Sequence, residues 1–256
     1  MSTAEHLLYE FPCNEKIRTY LRLEALFQRF DWFCAQTSAI AHLAGISALF
    51  DLLDATARSD LRHELIQELE RHRQRLIAKN VSSDPEMAEH LAEVGTAIQA
   101  VSESVGRTTQ RVRENQWLQI IRTRQSIAGG TCEFDLPQMH LWMHASPEVR
   151  RRELQSYVST LEPIRTGTML LLRIFRANSQ CQNLTAVNGT YQVSMNRNQN
   201  CALVQIWLPA DSTLVPEVSA NKYMLWIRFS RPDENHKLHL ARTEEIPFRL
   251  SLCTPS

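Results

Sequence analysis

The sequence predicts an α+β protein, with a mainly helical N-terminal region followed by a smaller, mostly antiparallel β region. Two observations predict this order. Through about the first two-thirds of the chain, apolar residues recur at intervals of three and four, the period of an amphipathic helix. From about Cys181 the period shortens towards two, and Asn188-Gly189 is a tight-turn dipeptide between strand-like segments. We therefore predict a helical domain at 1–178, with an irregular or strand segment at about 128–145, and a β domain at 179–256.

The predicted helices each begin at a capping or first-turn signal in front of an apolar stripe. These signals are, in chain order, Asn14, Ser38, Ser59-Asp60, Asp84-Pro85, Thr108 or Thr109, and Ser146-Pro147. The apolar side of the third helix consists of Leu61, Leu65, Leu69, His72 and Leu76. The fifth helix carries Val112, Trp117, Leu118, Ile120 and Ile121. Gly129-Gly130 ends the fifth helix, and Glu162-Pro163 separates the last two helical segments.

The β region consists of short apolar segments that polar or proline-containing turns separate. The predicted strands are Thr185–Val187, Tyr191–Met195, Leu203–Leu208, Tyr223–Phe229 and Phe248–Leu252.

Composition excludes several classes of protein. The chain has 28 basic and 28 acidic residues, so its surface is not uniformly basic and we expect no binding to bulk nucleic acid or anionic membrane. Its 7 glycines form neither GxGxxG nor GxxxxGK[ST], the usual phosphate-binding loops. The N-terminus has no signal-peptide pattern, no stretch approaches about 20 apolar residues, and the six cysteines include no CxxC pair. We therefore expect a cytoplasmic protein with reduced thiols.

Histidine and cysteine spacing leaves one enzymatic alternative open. His140 and His144 lie four residues apart, a spacing that places two imidazoles on one face of a helix for zinc, but no glutamate stands between them. Cys132 with His140 is conceivable as a nucleophile and base, although nothing in the sequence shows an activated thiol. We expect no enzyme activity, no cofactor and no metal.

The distribution of arginine is the most informative signal, because 24 of the 28 basic residues are arginine. Arg18, Arg22 and Arg29 lie on one face of the first helix. The segment 107–124 adds Arg107, Arg111, Arg113, Arg122 and Arg124 against Glu114 alone, and Arg150-Arg151-Arg152 begin a later helix with side chains expected in solvent. Two interpretations are open: a solvated face paired with acids such as Glu15, or a groove that clamps carboxylates or phosphates. An arginine-rich nucleic-acid-binding protein remains an alternative, although zinc fingers, RNP-type strands and overall basic charge are missing.

Three stretches together resemble the ZapD family, bacterial cell-division factors that associate with the tubulin-like GTPase FtsZ. They are Glu10–Glu24 (EFPCNEKIRTYLRLE), Ile121–Trp142 (IRTRQSIAGGTCEFDLPQMHLW) and Val187–Gln192 (VNGTYQ), the last followed by Asn221-Lys222 and Ile227–Phe229. The resemblance extends from about residue 5 to residue 252, with matching spacing between the stretches.

The resemblance implies a cytoplasmic homodimer that acts at the mid-cell division site. Such proteins are not enzymes; they bind the C-terminal tail of FtsZ and cross-link its protofilaments, which promotes assembly of the Z-ring. The positions that match the basic tail-binding surface are Arg22 and His140, with Arg18, Arg113, Arg122, Arg124, Lys222 and Arg228 as candidates of the same kind. Gln116 and Met224 replace basic side chains of the family, and Cys13 and Ala128 replace the more usual leucine and proline.

Overall fold

The computed structural model describes residues 6–58, 60–78, 85–104, 112, 114–177, 179–195, 201–221, 223–242 and 245–254. The chain divides into two compact units. The helical unit is Thr19–Leu171, and the sheet unit is Met1–Arg18 with Leu172–Ser256. The α+β class is confirmed, since the helical segments are followed by an antiparallel sheet. The first 18 residues group with the sheet, whereas the division predicted at 178/179 assigns them to the helical domain.

The helices follow the predicted order. They are α1 Glu15–Ala35, α2 Ala39–Thr56, α3 Leu61–Ala78, α4 Pro85–Glu103, α5 Gln116–Gln125, α6 Pro137–Met143, α7 Pro147–Val158 and α8 Glu162–Ala177, with a 3-10 turn at Ser159–Leu161 before α8. The predicted cap of α1 is confirmed, because the Asn14 Oδ1 atom accepts a hydrogen bond from the Ile17 backbone N–H at 3.0 Å. The predicted apolar side of α3 is buried at all five positions. Asp84, Thr108 and Thr109 lie outside the described residues.

The segment between α5 and α7 differs most from the sequence-based expectation. Helix α5 begins at Gln116, and the Asn115 side chain caps it by accepting from the Leu118 N–H at 3.1 Å. Ile120, predicted for the apolar side, is about half exposed. Where the sequence predicts irregular structure or a strand at 128–145, turns extend to residue 135 and α6 follows. Pro137 favours this helix, because its fixed φ suits the first turn and its missing N–H is not needed there.

Helix α2 is apolar on most of its circumference. By length and composition alone it could span a membrane, but half of that span is buried inside the structure. A buried core helix passes the same test. Leu49, Leu52 and Ile46 of α2 are fully covered, as are Phe27 and Phe30 of α1, which is the burial expected of a core.

The sheet unit contains eight described strands. They are β1 His6–Pro12, β2 Cys181–Val187, β3 Thr190–Ser194, β4 Leu203–Pro209, β5 Val215–Ala220, β6 Met224–Pro232, β7 Leu238–Leu240 and β8 Glu245–Cys253. Their order is β1-β4-β8-β2-β3-β6-β5, with β7 also paired to β6, and every pairing is antiparallel. Asn188 and Gly189 have φ of +53° and +69°, which confirms the predicted tight turn between β2 and β3.

The five predicted strand segments are confirmed, but β1, β5 and β7 were not predicted. Alternate residues of β6, including Leu225, Ile227 and Phe229, point into the core, where the Phe229 and Phe248 rings lie 5.0 Å apart. At the edge of the sheet, Arg176 donates two hydrogen bonds to the Glu10 carboxylate, at 2.9 and 2.6 Å. This bidentate contact helps to fix β1 within the sheet unit.

Candidate partner-binding site

The predicted binding residues are distributed over both units. Arg22, Arg122, Arg124 and His140 belong to the helical unit, whereas Arg18 and Arg228 belong to the sheet unit. Arg113 and Lys222 lie outside the described residues, as do Arg107 and Arg111. The structure therefore describes the surroundings of six of the eight candidates, each within its own unit.

On α1, Arg22 differs from the other two arginines of its predicted face. The Arg18 Nε atom lies 3.0 Å from Glu15 Oε1, and Arg29 Nη1 lies 3.5 Å from Asp51 Oδ2. The Arg22 side chain is exposed and forms no ion pair or hydrogen bond with any residue in the part of the chain that the structure describes. Its guanidinium is thus available for an external anion.

The three remaining candidates of the helical unit each face a carboxylate. Arg122 is paired with Asp54, and its guanidinium also stands 5.7 Å from the centre of the Phe50 ring. Arg124 Nη1 is 3.6 Å from Asp135 Oδ1, and His140 Nδ1 is 3.3 Å from Glu133 Oε2. The members of these pairs are about 30% to 70% exposed. Surface pairs of this kind contribute only about 0–1 kcal/mol, so a carboxylate from a partner can replace the internal one.

A compact turn brings Asp135 and Glu133 back towards Arg124 and His140. The Gly130 N–H donates to the Ile127 carbonyl at 2.9 Å, and the Asp135 and Leu136 N–H groups donate to the Cys132 carbonyl at 3.0 and 2.9 Å. A Cβ atom at Gly130 would lie 2.4 Å from the Arg124 carbonyl oxygen, so this approach of the backbone requires glycine. The turn therefore depends on the second glycine of the Gly129-Gly130 pair.

His140 lies in α6 and His144 is the C-cap residue of that helix, with ring centroids 4.4 Å apart. His144 Nδ1 is 2.8 Å from the His140 carbonyl oxygen, a local contact at the end of α6. Among the described residues, no group of three or more His, Cys, Asp or Glu side chains is arranged to hold a metal ion. Cys132 is exposed in the turn that precedes α6. The His140 ring nitrogen Nδ1 faces the Glu133 carboxylate.

Next to the two histidines, a groove of about 560 Å³ opens between α5, α6 and α7. Its lining includes Trp117, Leu141, Trp142, Val149 and His144. Trp142 donates from Nε1 to Glu153 Oε2 at 2.6 Å, which leaves the apolar faces of the two indoles to line the groove. Leu141 is 73% exposed, so the groove has an apolar rim.

The arginine triplet at the start of α7 differs from the expectation that all three side chains lie in solvent. Arg150 is only 4% exposed. It donates from Nε to His42 Nδ1 at 3.0 Å and from Nη2 to the Thr37 carbonyl at 2.8 Å, while Nη1 serves the Met143 and Ala145 carbonyls. Arg151 donates to carbonyls at the C-terminal end of α1. Of the three arginines, Arg152 is the one that is exposed. Two of the three arginines therefore satisfy carbonyls that helix and loop ends leave without partners.

Burial lowers the pKa of His42, and the adjacent positive charges of Arg150 and Arg151 lower it further against the opposing effect of backbone hydrogen bonds. A neutral imidazole is the form that accepts the Arg150 hydrogen bond. The sequence gives no sign of this contact, since the two residues are 108 positions apart.

In the sheet unit, Arg228 lies on the outward face of β6. It is paired in register with Glu217 of β5 and Thr190 of β3, and the partly exposed Trp226 lies two residues before it on the same face. Arg228 forms no ion pair within the described ranges. Met224 is half-buried at the start of the strand, and Gln116 is exposed at the start of α5.

Comparison with known proteins defines the class. A family model described as "ZapD: Cell division protein" matches residues 21–228. The cell division protein ZapD of Dechloromonas aromatica is 38% identical over 252 residues, which cover 96% of this chain and 99% of that relative. The ZapD proteins of Cupriavidus pinatubonensis and Cupriavidus necator are each 41% identical over the same shares.

These matches define a cell division protein. The chain belongs to the ZapD family.

Proposed function

We propose that this protein binds the C-terminal tail of FtsZ and cross-links FtsZ protofilaments, which promotes Z-ring assembly at the division site. Membership of the ZapD family supports a role in cell division. The observation that carries the finer proposal is the set of exposed basic side chains in the helical unit: Arg22 without a described partner, and Arg122, Arg124 and His140 in exposed pairs.

The chemistry of arginine suits an acidic, flexible peptide. A guanidinium binds a carboxylate through two parallel hydrogen bonds, which fixes the geometry as well as the charge. Arg22 contributes without first losing a partner among the described residues, whereas Arg122, Arg124 and His140 exchange one carboxylate for another. Arg18, Arg113, Lys222 and Arg228 are proposed as further contacts of the same kind.

Bundling requires two tail sites on one particle. We propose a homodimer, whose twofold axis supplies two identical sites that engage tails of neighbouring filaments. Each contact can be weak, because a filament presents many tails and avidity multiplies their effect. The protein acts in the cytoplasm at mid-cell, without enzyme activity, cofactor, nucleic acid or membrane. Sedimentation equilibrium tests the dimer: the mass of two chains supports it, and the mass of one chain contradicts it.

The direct test is co-sedimentation with FtsZ filaments, made either from full-length FtsZ or from FtsZ without its C-terminal tail. We expect the protein to pellet with full-length filaments and to stay in the supernatant with tailless filaments. Binding should also weaken as salt rises, because exposed charge contacts are screened within about 10 Å at ~0.1 M. Equal pelleting with both filaments would place the interface elsewhere, and pelleting that is insensitive to salt would exclude a basic binding surface.

A further inference from the structure

Two cysteines far apart in the sequence meet in the sheet unit. The Sγ atoms of Cys13 and Cys201 lie 3.2 Å apart, although 188 positions separate the residues. Cys13 directly follows β1 and Cys201 lies two residues before β4. The sheet holds both: the Cys13 N–H donates to the Ala202 carbonyl at 2.9 Å, one step beyond the Pro12–Leu203 pair of the β1–β4 ladder.

Neighbouring contacts fix the position of the second sulfur. The Ala202 N–H donates to the Cys253 carbonyl of β8 at 2.8 Å, and Cys201 Sγ lies 3.5 Å from the Leu203 carbonyl oxygen. Formation of a bond between the two sulfurs therefore needs them to approach by about 1 Å, to the usual S–S length of ~2.05 Å.

We propose that Cys13 and Cys201 form a reversible oxidation site, which a hydroperoxide converts into an intrachain disulfide. The Cys13 thiolate attacks the peroxide, an S–O bond forms and the O–O bond breaks, and Cys13 becomes a sulfenic acid. The other peroxide oxygen leaves as alkoxide, or as hydroxide from hydrogen peroxide, and takes a proton from solvent to become the alcohol or water. The Cys201 sulfur then attacks the Cys13 sulfur, the S–S bond forms, and the S–O bond breaks. The departing hydroxide takes the Cys201 proton as water. Two thiols lose two electrons, and the peroxide is reduced.

The environments of the two thiols indicate which one attacks the peroxide and which one resolves the sulfenic acid. The hydrogen bond from Cys201 lowers the pKa of Cys13, whereas the same contact and burial raise the pKa of Cys201. Cys13 is consequently the attacking thiolate and Cys201 the resolving thiol. Both side chains are only partly buried, so a small oxidant can reach them.

A third cysteine of this region is protected. Cys253 is buried on β8, its Sγ lies 3.4 Å from Gln205 Oε1, and burial raises its pKa to about 11. A neutral thiol attacks a peroxide slowly, and Cys253 contacts Gln205, whereas Cys201 lies directly against the Cys13 sulfur. We therefore expect Cys253 to stay reduced while the pair reacts. The bond between Cys13 and Cys201 would fix the end of β1, where α1 begins, to the start of β4. In a cytoplasmic protein such a bond is a transient, redox-dependent state and not a permanent crosslink.

The test uses the reduced full-length protein and increasing amounts of hydrogen peroxide. After catalase removes the peroxide, free thiols are alkylated in denaturant and unreduced peptides are mapped by mass spectrometry. We expect alkylated thiols to fall from six to four, with the Cys13 and Cys201 peptides joined within one chain and six thiols restored by dithiothreitol. The proposal fails if the exposed Cys132 or Cys181 oxidises while the pair stays reduced, or if Cys13 joins Cys253 or a second chain.

Single variants separate an oxidation site from two thiols that merely pack together. In Cys201→Ser, low peroxide should leave Cys13 as a sulfenic acid that dimedone captures, because the resolving thiol is missing. The matched control Cys181→Ser should form the Cys13–Cys201 bond as the parent protein does. An absence of dimedone adduct on Cys13 in Cys201→Ser would show that Cys13 is not the attacking residue and would overturn the proposal.

Discussion

The start of α7 and the exposed surface of α1 and α5 use the same side chain for opposite purposes. Arg150 is buried against His42 and three backbone carbonyls, so its hydrogen bonds are intramolecular and fixed. Arg22 is exposed with no described partner, and Arg122 and Arg124 hold carboxylates in half-exposed pairs. Burial therefore decides which arginines support the fold and which are available to a partner.

The largest expected effect concerns Arg150. Arg150→Met keeps an unbranched but shorter side chain and removes the donor to the His42 ring and to the three backbone carbonyls of Thr37, Met143 and Ala145. Each unsatisfied buried group costs about 1–3 kcal/mol, so we expect the free energy of unfolding to fall by about 3 kcal/mol in urea denaturation. The matched variant Arg152→Met removes an exposed arginine from the same turn. It should change the free energy of unfolding by less than about 0.5 kcal/mol. Equal losses in the two variants would contradict the distinction.

A smaller effect should appear as a function of pH. Because the folded protein lowers the pKa of His42 below its unfolded value, the unfolded chain binds a proton first as pH falls below about 6.5. His42 therefore contributes a loss of stability on acidification, at most about 1.4 kcal/mol per pH unit. His42→Gln retains a carbonyl acceptor for Arg150 and should show a shallower decline of unfolding free energy between pH 7.5 and 5.5. Parallel declines in both proteins would assign the effect to other groups.

The smallest effect concerns the half-exposed pairs. Asp135→Asn keeps the side-chain shape but removes the charge that faces Arg124, so we expect affinity for an FtsZ tail peptide to rise about two- to fivefold. Fluorescence anisotropy of a labelled tail peptide measures this affinity. Asp51→Asn makes the same charge change next to Arg29, which is outside the predicted binding set, and should leave affinity unchanged. A similar rise in both variants would indicate a general charge effect and not release of Arg124.

Local signals explain how much of the fold was predictable. The Asn14 cap, the apolar side of α3 and the Asn188-Gly189 turn each depend on residues within a few positions, and each is confirmed. Strand β1 was missed because His6–Pro12 lacks apolar alternation and is half-exposed at the edge of the sheet.

Contacts between residues that are far apart in the chain could not be predicted from the sequence. Nothing within Arg150-Arg151-Arg152 shows which guanidinium turns inward, because His42 and the end of α1 meet it only after folding. The Cys13–Cys201 contact is hidden for the same reason. The resemblance identified Arg22 and His140, but only the structure separates Arg22, which has no described partner, from His140, which faces Glu133.

The central claim is that Arg22, whose side chain has no partner among the residues that the structure describes, binds the tail of FtsZ. Isothermal titration of a tail peptide into Arg22→Glu tests this claim most directly. A hydrogen-bonded charge contributes about 1.5–3 kcal/mol, so we predict at least about a tenfold loss of affinity with an unchanged free energy of unfolding. Arg152→Glu changes the net charge equally on an exposed helix position and should stay within about twofold of the parent. Unchanged affinity in Arg22→Glu, or an equal loss in both variants, would contradict the claim.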